Sequence, residues 1–369
     1  MTNKKEVKSE RVLSIDALRG FDMLWLTGGA GVLTSLFATF NIPGLDFLRT
    51  QFEHAKWEGM TFEDIIMPLF MYITGCSMVF SFPKRLEREG KKKVYTHVIF
   101  RVSLLWLFGM VYQGRLLNLN WAEVYLYNNT LQAIAMGYLG AALILLVKDL
   151  RLQISLTVLC LIIYSVILNF TGGDMSLEGN MASKIDNFVL STHRHGTEYT
   201  WVLSSFNFIV TVMLGVFSGA LLKNSKQSKK QRVKYLFAYG VLVLLAGYGL
   251  SFYEPCIKKI WTSSFTLISG AWCILLLSLF FYVLDVLELR KGAVFFTVIG
   301  SNALFAYLVF GYNRFFNSEI FVKQFVYGTE QYFSMFNSIA YSAFTACLGL
   351  ILTWLVLFYM QKNKIFLKV

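Results

Sequence analysis

The chain has 369 residues, of which 56% are hydrophobic and only 15% charged, at a mean hydropathy of +0.54. Soluble domains carry roughly 25% charged residues, so this composition excludes an ordinary soluble fold. The formal net charge of +12 fits the Lys and Arg that gather in the cytoplasmic loops of membrane proteins, and nucleic-acid binding is not expected.

Apolar runs near 20 residues are long enough to cross a bilayer as helices. None alternates with the period of two that a membrane β-barrel needs. The expected fold class is all-α, a polytopic membrane protein with about ten transmembrane helices. In chain order the spans are read at 14–40, 62–82, 95–113, 128–148, 151–170, 201–223, 232–251, 262–287, 293–313 and 338–361. A short charged tail, 1–13, precedes the first, which lacks a cleavage signal and reads as a retained helix. The fourth and fifth spans form a tight hairpin. No repeat or low-complexity linker divides the chain, so 1–369 is read as a single transmembrane domain.

Orientation follows from the basic residues. With a cytoplasmic N-terminus, the inner segments hold Lys84, Arg85, Arg88, Lys91, Lys92 and Lys93, then Lys226, Lys229 and Lys230. The outer segments hold fewer than half as many Lys and Arg, a bias that places both termini in the cytoplasm.

Four stretches carry the chemistry. In SIDALRGFDM, Asp16, Arg19 and Asp22 recur every three residues and share a helix face. Ionisable groups inside a span pair with each other or line a polar cavity. Arg19 therefore either pins a helix end through Asp16 or meets a ligand from the cytoplasm. In FEHAKWEGMTFEDIIMPLF, His54 sits among aromatics at the outer end of the second span. An imidazole there is either solvated or a base or nucleophile. Asp64 begins the next helix, where it either caps the Thr61 turn or serves catalysis. In KKIWTSSFTLISGAW, Trp261 reads as an interface anchor and Thr262, Ser263 and Ser264 as helix caps. In GSNALFAY, Gly300, Ser301 and Asn302 read as close helix packing or a ligand contact.

Cys76, Cys160, Cys256, Cys273 and Cys347 form no C-x-x-C or Cys/His cluster, so neither a metal site nor a disulfide framework is expected. His193 and His195 read as solvated loop residues, and His97 lies early in the third span. No Walker, zincin or nucleophile-elbow motif is present.

Taken together, RVLSIDALRGFDM, FEHAKWEGMTFEDIIMPLFMYITG, KKIWTSSFTLISG and IGSNALFAY resemble the heparan-α-glucosaminide N-acetyltransferase family and its bacterial relatives. The motifs stand in the family's order across most of the chain. The resemblance implies an enzyme of the bacterial cytoplasmic membrane that takes acetyl groups from cytoplasmic acetyl-CoA. It would deliver them to the amine of a glucosamine-type sugar on the far side, with membrane lipid around it and no metal. It makes His54 the catalytic candidate and Asp64 the group that orients it. It leads us to look for the CoA moiety near Asp16, Arg19, Arg101 and Asn302, and leaves a homodimer open. The family's Asn-Tyr-Gly-Gly stretch is Leu26-Thr27-Gly28-Gly29 here. Either Thr27 or Asn302 replaces the missing Asn, or the acceptor differs. O-acylation of an envelope polysaccharide, and transport without acyl transfer, are the competing expectations.

Overall fold

The computed structural model describes residues 12–40, 46–170, 172–195, 200–311, 315–334 and 338–367. Most of the expected N-terminal tail lies outside them, as do Arg314 and Lys368. Among the described residues the fold is helical throughout, apart from one isolated bridge between Glu58–Gly59 and Ile257.

The chain is a polytopic α-helical membrane protein. Seven helices are long and apolar enough to span a bilayer: α1 (Leu13–Phe40), α2 (Glu63–Tyr112), α4 (Leu150–Asn169), α6 (Ser205–Lys223), α7 (Lys229–Ser251), α8 (Ser263–Val286) and α12 (Ile339–Lys362). An eighth span is the pair α9 (Ala293–Ser301) and α10 (Ala303–Phe310), bent by 74°. Ten spans were expected, and the difference has two causes. The expected second and third spans run on as one 50-residue helix, α2, broken in direction at Gly90, whose φ is +77°. The expected fourth is α3 (Thr130–Ile144), whose 15 residues rise only about 22 Å at 1.5 Å per residue, short of a hydrocarbon core. Two shorter helices, α5 (Met181–Leu190) and α11 (Ser318–Val326), lie between spans.

Small residues let the site-bearing helices touch. Gly75 of α2 lies against the Val212 carbonyl of α6, and Gly215 of α6 against the Tyr72 carbonyl of α2. A Cβ on either would come within about 2 Å of that oxygen, so the two backbones are in direct contact. Gly20 of α1 and Gly300 of α9 meet in the same way. This confirms close packing at the expected position and fixes α1 beside the broken span. By contrast α4 and α7 expose Ile154, Val158, Ile162, Leu242 and Leu245, an exterior suited to lipid.

Asp186 of α5 is buried and accepts a hydrogen bond from the Val202 amide at 2.9 Å. Burial pushes its carboxyl up to about 6, against the pull of that amide and of Arg194. The folded protein therefore holds a proton that the unfolded chain releases near pH 4. Its contribution to stability falls as pH rises from about 4 to about 6. Asp186→Asn keeps the acceptor oxygen and removes the charge. We expect the variant to gain thermal stability over wild type at pH 7 and to lose that advantage at pH 4, measured by thermal unfolding in detergent. An equal difference at both pH values would refute it.

Candidate active site

The loop before α2 and the loop before α8 are joined by the Glu58–Ile257 bridge and by Gly59, whose N–H donates to the Cys256 carbonyl at 2.8 Å. That join sets three side chains together. His54 Nδ1 lies 2.9 Å from Asp64 Oδ1. Lys258 Nζ lies 3.0 Å from the same oxygen and 3.2 Å from His54 Nδ1. The second carboxylate oxygen, Oδ2, accepts from the Ala55 amide, the Thr61 amide and the Thr61 hydroxyl, each at 3.1 Å. The capping and catalytic readings of Asp64 thus coexist, one oxygen for each.

Exposure separates the three roles. The Asp64 side chain is 1% exposed and that of Lys258 11%, while that of His54 is 50% exposed. A buried charged pair presents one half-open imidazole. Nδ1 cannot both donate to Asp64 and accept from Lys258. The carboxylate is the stronger partner, so we assign the proton to Nδ1. The lone pair then sits on Nε2, the nitrogen left for a substrate. Burial draws the Lys258 ammonium below its ordinary range, and Asp64 opposes that shift. Cys256, next door, is no nucleophile: burial, with the charges of Asp64 and Glu58, pushes its thiol up to about 12.

At the other end of the bundle Arg19 donates to Asp16 at 3.3 Å and to the Ser77 hydroxyl at 2.7 Å. Asp22 is fully buried, with no hydrogen bond to either oxygen. Arg19, Arg85, His97 and Arg101 line one cavity of about 560 Å³. Arg101 stacks over Tyr138 at 4.3 Å, and its buried Nε has no hydrogen-bond partner. Three guanidiniums around one cavity suit an anion such as a phosphate group.

Asn302 is placed differently. Its amide donates to the Ile365 carbonyl at 2.9 Å and accepts from the Leu367 amide at 3.1 Å. It therefore holds the C-terminal segment, and through it Leu367, against the basic cavity that Gly300, Ser301 and Ala303 line. The Thr27 hydroxyl donates to the Met23 carbonyl at 2.9 Å within its own helix. Neither side chain offers the open donor that a replacement for the family Asn would supply. Trp261 is not an interface anchor: it is fully buried, edge-on to Phe208 and Phe265, because its loop folds inward. The expected cap holds, with the Thr262 hydroxyl accepting from the Phe265 amide. His193 is not simply solvated. Its Nδ1 lies 2.9 Å from the Val124 carbonyl, and its ring packs on Trp121. His195 meets Tyr125 edge-on.

Three cavities adjoin along the bundle. Phe70 and Ile134 wall both the basic cavity and a small void of about 10 Å³. Leu26 walls that void and a third cavity of about 230 Å³, which Trp25, Thr27 and Glu63 also line. Glu63 is the neighbour of Asp64, so the series runs from the guanidiniums toward the His54 cluster. Leu26 lies in a π-turn, Trp25–Gly29, where Gly28 takes a φ of +129°.

The fold and its two polar ends define a multi-pass helical bundle with a histidine–carboxylate–lysine cluster at one end and a basic cavity at the other. The chain is similar to heparan-alpha-glucosaminide N-acetyltransferase of Mus musculus, 24% identical over 320 residues, covering 70% of this chain and 48% of the mouse protein. It is 22% identical to the Homo sapiens protein of the same name over 361 residues, 81% of this chain and 52% of the human one. The relationship is distant, and the chain spans about half the length of these curated relatives. No protein-family model matches it.

Proposed function

We propose that the protein is a membrane acyltransferase that moves an acetyl group from acetyl-CoA, bound at the basic cavity, to the amine of a glucosamine-type sugar at the His54 end. The observation that carries this reading is the half-exposed His54, held through Nδ1 by a buried Asp64. The adjoining cavities and the names of the two distant relatives support it. The Lys and Arg bias supports a cytoplasmic basic end.

In this mechanism His54 Nε2 takes a proton from the acceptor amine as its nitrogen attacks the thioester carbonyl. The C–N bond forms, the C–S bond breaks, and the thiolate leaves as CoA and is protonated. Asp64 holds the imidazole in its Nδ1–H form and stabilises the imidazolium that develops, as carboxylates do beside catalytic histidines. Lys258 neutralises Asp64 in its buried setting. Arg19 and Arg101 hold the CoA phosphates.

The test is CoA release by the detergent-purified protein given acetyl-CoA and glucosamine. Release that requires the amine is expected. Release only with hydroxyl acceptors would replace the amide by an ester product. No release with either acceptor would overturn the transfer reading and favour a transporter.

A further inference from the structure

The middle void is far smaller than its neighbours. At about 10 Å³ it has room for about one water-sized group. Its walls include Leu26, Met67, Phe70, Ile134 and Tyr307. All but Phe70 are nearly inaccessible from outside, and Phe70 packs against the same core. An acyl group carried from the basic cavity toward His54 has to stand between Phe70 and Ile134 on one side and Leu26 on the other, because these residues are shared by consecutive cavities.

We propose that this constriction selects the acyl donor by length: it admits the methyl of an acetyl group and rejects longer chains. The inference rests on the transfer reading above and adds the determinant of donor choice. A methyl is about the size of the void, and its apolar walls suit it. Each further methylene has to displace packed side chains, and one methylene changes discrimination in such a pocket by roughly 10–200-fold. Close packing makes the limit sharp, since a core has no slack volume to give.

The position of the constriction adds to this. Leu26 stands in the π-turn of α1, and Tyr307 in α10 beyond the 74° break. Both are carried by interrupted helices, so the two sides of the constriction are set by backbone that departs from a straight span. The residue identities at 26, 70, 134 and 307, and not the basic cavity, then decide which thioester reaches the histidine. The basic cavity reads only the CoA portion, which all acyl-CoAs share.

The experiment compares acetyl-, propionyl- and butyryl-CoA as donors to glucosamine, reading kcat/KM from CoA release. Wild type is expected to fall about 10–200-fold from acetyl to propionyl. Phe70→Ala and, separately, Ile134→Ala are expected to raise the propionyl-to-acetyl ratio by at least about 10-fold. The ratio is internal to each preparation, so partial unfolding of a variant cancels. Two variants on opposite helices guard against one failing to fold. Wild-type rates that do not depend on chain length, or ratios unchanged in both variants, would overturn the inference while leaving acyl transfer intact. Absence of CoA release from every donor would overturn the transfer reading and this inference with it.

Discussion

His54→Ala is expected to lose CoA release by a factor of about 10²–10⁴ while keeping its thermal stability and its affinity for acetyl-CoA. The rate loss is the usual contribution of a positioned general base. Stability is spared because the His54 side chain is half exposed and its removal leaves Asp64 with Lys258 and two backbone amides. Affinity is spared because the guanidiniums stand at the opposite end. From Asp64 to Ser77, the partner of Arg19, is about 20 Å along α2 at 1.5 Å per residue. Equilibrium binding of acetyl-CoA and amine-dependent turnover, measured on the same preparation, check both parts. Turnover that survives the substitution would remove His54 from the chemistry. The same assay without amine separates two routes: a stoichiometric burst of CoA from wild type would mean that His54 itself accepts the acetyl group, whereas the general base needs the amine to be present.

What the sequence revealed, and what it hid, follow from distance along the chain. The spans were legible because hydropathy is a local property, and so was the likeness of the His54 segment to a known family. The ten-residue separation of His54 and Asp64 kept both inside one motif. Their pairing was then expected, though not the division of labour between the two carboxylate oxygens. Lys258 was missed. It lies 204 residues from His54, in a stretch whose Trp and hydroxyl residues invite an ordinary anchor-and-cap reading. Only the Glu58–Ile257 bridge brings it to the cluster, and no periodicity encodes one isolated bridge. A lysine three residues before a buried tryptophan was the available signal, but burial of that tryptophan is itself a tertiary fact. The basic cavity shows the same limit. Arg19 and Arg101 stood out as charges in apolar runs, whereas Arg85 looked like one more loop cation and His97 like a helix-end residue. The number of spans was overcounted by the length test for the same reason: a break at Gly90 and a 15-residue α3 depend on how neighbours pack.

Asp64→Ala is expected to damage the fold more than any other single change at the site, and Lys258→Met is expected to repair part of that damage. Asp64 carries the buried ends of five contacts, and its removal leaves the Lys258 ammonium without its carboxylate. Breaking a buried ion pair from one side costs about 3–5 kcal/mol, because the surviving charge stays out of water. Replacing that lysine by methionine removes the stranded charge and keeps an unbranched chain of similar reach. The double variant should therefore unfold at a higher temperature than Asp64→Ala alone, although it carries one more substitution. Lys258→Met alone should cost less than Asp64→Ala, since Asp64 keeps His54 and the amides of Ala55 and Thr61. Thermal unfolding of the four proteins forms a double-mutant cycle that isolates the pair. A double variant no more stable than Asp64→Ala would show that the charges are not coupled and that Asp64 acts only as a cap. Activity should not follow stability: the double variant regains its fold but has nothing to orient His54, so its turnover should remain as low as that of Asp64→Ala. The two readouts part only if Asp64 does two things at once, holding the loop through one oxygen and the imidazole through the other.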